Sequence, residues 1–400
     1  MTLTAAAPYS KPHQTSIVKI PRIEVVDALR GFAIFAIMLL HNLEHFDFYY
    51  FPQHLPAWVK AIDKGIWDSI FFLFAGKAYA IFALLFGFTF FIQMENQAKK
   101  GVDFRLRFVW RLFLLMIFGC INALFYEGDI LSFYALLGVI LVPVGKWNNK
   151  ALLITAIILL LQPVEWINVI NILNTPGYVI PKNLSDQYFS QVGQFMAGSS
   201  FWKLIKGNFL VGRPAVFFWS WENGRFFQTP ALFLLGMLLG RQRRFLASEQ
   251  NAQFWKKILM IAAVSFIPLF YLKGSMHQFV ATEALAKKLS MIITTWSNFA
   301  FMMVLVSSFV YLYTKNAAKR VLNTFAPLGR MSLTNYIVQS ILGTLVYYGY
   351  GLGLYQYTGA TYCLLIGILL FTLQLFFCRW WLSRHKQGPL ENLWHRATWL

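Results

Sequence analysis

The stretch EVVDALRGFAIFAIMLLHNLEH, residues 24–45, decides how this chain folds. Its apolar run is too long for the h-region of a cleavable signal, and no small-residue cleavage site follows, so it reads as a retained membrane helix. Lipid rejects ionisable groups, yet Asp27, Arg30 and His41 stand inside it. Asp27 and Arg30 are three apart and can pair on one face. From Arg30 to His41 is 11 residues. At about 100° and 1.5 Å per residue, that puts them within ~20° of one face and about 16 Å apart along the axis. His45 continues the face one turn on. Taken alone, Asp27 and Arg30 could equally be an interface ion pair, and a lone histidine in an apolar run reads first as a packing residue; the shared face is what singles out His41.

Working outward, the 400 residues are 58% hydrophobic and 13% charged, with a mean hydropathy of +0.54. Soluble domains carry about 25% charged residues. Half that number cannot cover a water-facing surface, so lipid is the solvent for much of the chain. The net charge of +19 would suit nucleic acid in a soluble protein. Here the Lys and Arg cluster between apolar runs, as cytoplasmic loops do, and no nucleic-acid partner is expected. Cys120, Cys363 and Cys378 show neither metal-ligand spacing nor a disulfide framework.

Ten spans are expected, near 24–45, 67–92, 107–126, 130–145, 150–165, 226–240, 256–273, 290–314, 332–350 and 360–382. With both termini inside, the basic loops at 93–106, 146–149, 241–255 and 315–331 face the cytoplasm, and the acidic turn Glu127-Gly128-Asp129 faces out. The chain divides into a cytoplasmic tail at 1–23, a five-helix half at 24–165, an extracytoplasmic stretch at 166–225, a second five-helix half at 226–386 and an interfacial tail at 387–400. Residues 201–222 are apolar but interrupted by Lys203, Lys206, Arg213-Pro214 and Glu222. A span there would put the cluster Arg241/Arg243/Arg244 outside, so a re-entrant or interfacial segment is expected.

Further polar residues mark candidate sites. Lys77 interrupts the second span and should point into the bundle, toward a carboxylate or an anionic ligand. Asp68, nine residues earlier, faces the other way. Asn122, Glu127 and Asp129 cluster at the outer end of the third span, and His54, Asp63 and Asp68 share that layer. Asn335 and Gln339, at i and i+4, read as helix-bridging. No phosphate-binding glycine loop, metal-binding His pair or nucleophile elbow is present. The stretch 388–400, with Trp394 and Trp399, reads as an anchor without a site role.

The runs Asp27-Ala28-Leu29-Arg30-Gly31, Leu84-Leu85-Phe86-Gly87, Gly128-Asp129-Ile130-Leu131 and Gly236-Met237 with Gly240-Arg241 resemble the YeiB-like bacterial membrane family (domain of unknown function 418). So do Gly329-Arg330-Met331-Ser332-Leu333-Thr334-Asn335-Tyr336 and Gly388-Pro389-Leu390-Glu391. The resemblance covers nearly the whole chain and extends to the transmembrane acyltransferase superfamily, which includes heparan N-acetyltransferase and the family-3 acyltransferases. It implies movement of an acyl group from cytoplasmic acyl-CoA to an extracytoplasmic hydroxyl or amine, on a glycan or glycolipid.

The Arg30-x10-His41 spacing is similar to that of the family-3 enzymes, which implies His41 as base. His54 is the rival, because the heparan enzymes carry their active histidine in the loop before the second span. Where His41 stands the family usually has asparagine, and often histidine at the place of Asn122. Arg30, Asp27 and Lys77 are expected on the donor side and Asp68, Asn122, Glu127 and Asp129 on the acceptor side, with no metal. The alternative is a transporter or channel for a small polar or anionic solute, its pathway lined by the same charges. The expectation is an all-α polytopic protein of the bacterial inner membrane, with membrane lipid and a glycan or small-molecule acceptor as partners.

Overall fold

The computed structural model describes residues 23–52, 55–175, 177–178, 180–280 and 282–400. Among them there is no strand. The tail at 1–22 and His54 lie outside the described residues.

The first helix, α1 (Glu24–Leu43), is the axis of the molecule, because apolar side chains surround it on every face. It packs against α2 (Ala57–Phe74), α3 (Ala78–Ala98), α16 (Ala326–Arg330), α17 (Ser332–Tyr347) and α18 (Ala360–Arg384). Beside them run α4 (Arg105–Asn122), α5 (Leu131–Gly138) and α6 (Leu141–Val144). Next come α7 (Asn149–Leu160) and α8 (Pro163–Asn174), bent by 43° at the left-handed Gln162. Helices α9 (Leu184–Ala197), α10 (Phe201–Gly207) and α11 (Arg213–Glu222) precede α12 (Arg225–Arg241). A long hairpin of α13 (Glu249–Phe279) and α14 (Glu283–Tyr313) follows. Between α14 and α16 lies α15 (Asn316–Leu322), and α19 (Pro389–Thr398) ends the chain.

Among the described residues, four segments are long and apolar enough to cross a membrane: Ala57–Ala98 (taken across its break), Glu249–Phe279, Glu283–Tyr313 and Ala360–Arg384. The bent α7–α8 pair makes a fifth. The protein is an all-helical membrane protein. The sequence-stretches 24–165 and 226–386 do not form two bodies, since α12 packs between α3 and α7, and α1 packs against α16 and α18.

Two glycine pairs hold this arrangement. A side chain at Gly31 would strike the Phe325 carbonyl, and one at Gly329 the Asp27 carbonyl. Gly87 and Gly236 repeat the device between α3 and α12, against the carbonyls of Phe233 and Leu84. Lipid offers little hydrophobic drive for helix association, so close backbone approach through small residues supplies it. Of the two residues expected to bridge helices, Asn335 does so, to the Leu328 carbonyl at 3.2 Å and to Cys378 on α18, whereas Gln339 is buried with neither side-chain amide atom hydrogen-bonded.

Residues 201–222 are helical throughout, their one irregularity a π turn at Asn208–Gly212. They pack against α9 and the turn after α4, where Asn208 donates to the Leu124 carbonyl (3.2 Å).

Candidate functional site

Each end of α1 opens on a cavity. Arg30 lines one of about 390 Å³, and His41 lines a much larger one of about 1520 Å³. The spacing that puts both residues on one face therefore serves two chambers. Neighbouring residues divide between them. Ile130 and Tyr336 face the His41 chamber, while Leu131 and Leu333 face the other. The boundary is tied by Ile130 N–H to the Tyr336 hydroxyl (3.1 Å) and by the Tyr134 hydroxyl to the Tyr79 carbonyl (2.6 Å).

The His41 chamber owes its chemistry to an unusual turn. After α1 ends, His45, Phe46 and Asp47 have φ of 49°, 55° and 65°, and Tyr49 has 49°. Left-handed backbone costs a non-glycine residue roughly 1–2 kcal/mol, so packing must impose this conformation. Phe46 is fully buried, and its carbonyl accepts from the Tyr348 hydroxyl (2.5 Å). His45 is buried against Thr358 (2.9 Å) and Cys363. Burial lowers its pKa to about 4, so it is neutral. The expectation that His45 extends the His41 face is therefore corrected: the left-handed turn carries it away, and Glu44 and Asp47 take its place in the cavity wall.

Asp47 Oδ2 accepts the Tyr126 hydroxyl at 2.8 Å, and the same oxygen of Tyr126 lies 3.1 Å from His41 Nδ1. Glu44 Oε2 is 3.5 Å from Nδ1. Tyrosine has one proton, and it is committed to Asp47. His41 Nδ1 is then the N–H, donating toward Tyr126 and Glu44, and in the neutral ring this leaves the lone pair on Nε2. That is the tautomer a general base needs. Burial, and then the charge of Glu44, raise the Asp47 carboxyl to about 6. The ligand atoms of His41, Glu44 and Asp47 lie within 4.8 Å of one another, a donor set that could hold a divalent cation. Tyr126 and the His41–Glu44 pair already satisfy these atoms, so no ion is needed to explain the arrangement.

The acceptor-side expectations divide. Asp68 lines the chamber's rim and pairs with Lys64 (2.5 Å) in the open. Asn122, Glu127 and Asp129 come together but behind the wall. Asp129 accepts from Asn122 (3.1 Å) and from the N–H and hydroxyl of Ser132 (2.9 and 2.6 Å), so it caps α5, with Arg213 at 3.5 Å. Glu127 is fully buried with both carboxylate oxygens unpartnered. Burial and the nearby Asp47 hold its carboxyl well above the carboxylate range. Lys77 was expected with Arg30, but it lines the His41 chamber instead, at the break between α2 and α3 where Gly76 has φ 76°.

In the smaller chamber Arg30 is paired with Asp27 (3.3 Å), as expected, and donates to Thr89 (2.9 Å). Arg111 and Arg330 add two more guanidinium groups. The side-chain oxygens of Gln93 and Asn96 are buried there without partners, and orphaned polar atoms facing a cavity suit a ligand. The C-terminal tail, expected to have no site role, closes this chamber. Trp394 and Trp399 line it, stacked on Arg111 (4.0 Å) and Arg107 (4.7 Å). Glu391 accepts from the Leu333 and Thr334 N–H groups at 2.7 and 3.0 Å, pinning α19 to the start of α17.

Sequence reasoning missed Asp47, Tyr126 and Arg225 in the large chamber and Arg111 in the small one. Positions 41, 44 and 47 do repeat at three residues, but the helix ends at Leu43, so helical spacing gave no licence to group them.

A family model described as a protein of unknown function (DUF418) matches residues 239–400. YxaH of Bacillus subtilis is 31% identical, over 95% of this chain and 94% of its own. YeiB of Escherichia coli is 24% identical, over 93% of this chain and 95% of its own. No solved structure matches.

Proposed function

The chain belongs to the YeiB-like DUF418 family, and from that premise we propose that it transfers an acyl group across a bilayer, from acyl-CoA to a hydroxyl or amine on the opposite side. The observation that carries this reading is the pair of chambers at the two ends of α1, with the adjacent residues Ile130 and Leu131 lining one each. One chamber offers what a phosphate-bearing thioester donor needs. Guanidinium groups suit phosphates, which Arg30, Arg111 and Arg330 supply, and the unpartnered amide oxygens of Gln93 and Asn96 can accept from amide or amine N–H groups of the donor. The other chamber offers a base. His41 Nε2 takes the proton of the acceptor hydroxyl or amine, whose oxygen or nitrogen attacks the thioester carbonyl. The C–S bond breaks and the coenzyme thiolate leaves toward the Arg30 side, where it is protonated. Asp47 and Tyr126 hold His41 in the productive tautomer.

On this reading the short buried helices cross the membrane as well, giving about ten spans in a bacterial inner membrane with both termini in the cytoplasm. The basic clusters then lie on the Arg30 side, facing the acyl-CoA supply.

The test is binding of acetyl-CoA and longer acyl-CoA to detergent-purified protein. Arg30→Ala should abolish binding. His41→Ala should keep binding and lower transfer by about 10²-fold or more. Absence of binding by wild type and both variants would overturn the proposal. A transporter is the second reading, favoured by the broken backbone at Ala75–Lys77 and the bent α7–α8 pair. It predicts solute counterflow in proteoliposomes without acyl-CoA consumption.

A further inference from the structure

The His41 chamber is electrically lopsided. Its far end carries Lys77 and Lys273, close enough for their charges to repel. Among the described residues neither has a carboxylate within ion-pair distance. Lys77 is only 7% exposed. It donates to the Phe72 carbonyl (3.0 Å) and sits 6.0 and 5.7 Å from the Phe72 and Phe301 rings. An ammonium has three N–H groups, of which the Phe72 carbonyl takes one, and the residue lines the cavity. Buried charges are paired, and one placed at membrane depth marks a ligand by default. The missing partner is an anion.

The wall beside Lys77 says how that anion arrives. Between α2 and α13 the chamber wall carries ring contacts, Phe72 with Phe270 (5.5 Å) and with Phe266 (6.1 Å). Helix α13 packs chiefly on α14. Its other side is apolar and bare, with Val264 70%, Ile267 69% and Tyr271 67% exposed in a segment long enough to span. Phe72 and Phe270 themselves line the chamber and remain 40% and 48% exposed. A seam of aromatic rings thus separates a cationic pocket from lipid. A soluble anion would need no such seam, whereas an amphiphile would pass its tail through it.

We propose that the His41 chamber holds the phosphate-type headgroup of an anionic lipid against Lys77 and Lys273, its tail leaving into the bilayer through the Phe72–Phe270 seam. Binding stands on this geometry alone. That the bound lipid is the acyl acceptor rests on the acyl-transfer reading, with its headgroup hydroxyl presented to His41.

The experiment is binding of phosphatidylglycerol to the detergent-purified full chain by native mass spectrometry, without acyl-CoA. Phosphatidylcholine with the same tails and inorganic phosphate serve as comparisons. Wild type should bind phosphatidylglycerol about tenfold or more tighter than either. Lys77→Gln and Lys273→Gln should each weaken it about tenfold, Lys77→Arg should restore most of it, and Lys203→Gln on the exposed face of α10 should change nothing. Should Lys77→Gln fail to fold, Lys273→Gln, on the projecting hairpin, decides. Equal binding of the two lipids overturns the anion site, and phosphate binding as tight as phosphatidylglycerol overturns the lipid source. Failure of acyl-CoA to bind would leave this site standing, and loss of lipid binding with acyl-CoA binding intact would remove this site alone.

Discussion

At position 47 one side chain carries both the strain and the chemistry of the large chamber. Asp47 is left-handed, and its carboxyl titrates near 6 because burial and Glu44 oppose its charge. As pH falls through about 6 the group takes up a proton and no longer draws the Tyr126 hydroxyl, so the tautomer of His41 is no longer held. Transfer should therefore fall as pH drops through about 6, and Asp47→Asn, which fixes the uncharged state, should lower it already at neutral pH. The linkage for stability runs the other way: a carboxyl whose folded value lies above its unfolded value near 3.9 weakens the fold as pH rises through that interval. Asn tolerates the left-handed region and a β-branched residue does not. Thermal unfolding should place Asp47→Asn close to wild type and Asp47→Val roughly 2 kcal/mol below it.

Helix packing is set by backbone contact at the glycine pairs. Gly329→Ala would drive a methyl group into the Asp27 carbonyl, and overpacking of this kind costs about 1–3 kcal/mol. Gly274→Ala, inside α13 with open space around it, should instead gain up to about 1 kcal/mol from helix propensity, and comparison of their melting temperatures in one detergent checks both. At the other end of the chain, Glu391→Ala removes the acceptor for two N–H groups of α17. It should cost about 0.5–2 kcal/mol and release α19 from the small chamber, read as faster proteolysis after residue 385.

For the molecule as a whole, the two-chamber reading requires that the chambers face opposite sides of the membrane. Lys100 is exposed in the loop beyond the Arg30 end, and Asp186 is exposed on α9 beside the His41 chamber. In a Cys120→Ser background, an impermeant thiol reagent should label Asp186→Cys in intact cells and Lys100→Cys only after permeabilisation. Labelling of both from outside would sink the threading and with it any transfer across the bilayer.

Composition and the 24–45 stretch by themselves determined that this is a helical membrane protein with Asp27, Arg30 and His41 on one face of its first helix. Those properties follow from local rules: lipid excludes charge, and 3.6 residues make a turn. The family motifs were equally legible, and their glycines proved to be the packing contacts. Tertiary structure alone decided the rest. It put Lys77 with His41 rather than Arg30, hid Asn122, Glu127 and Asp129 behind the wall, and brought Trp394 and Trp399 over a cavity. Each depends on where a chain break or a distant helix lands, and spacing along the chain carries no information about that. The left-handed turn at 45–47 is the clearest case. No propensity favours it, and only burial of Phe46 and His45 against residues some 300 positions away holds it in place.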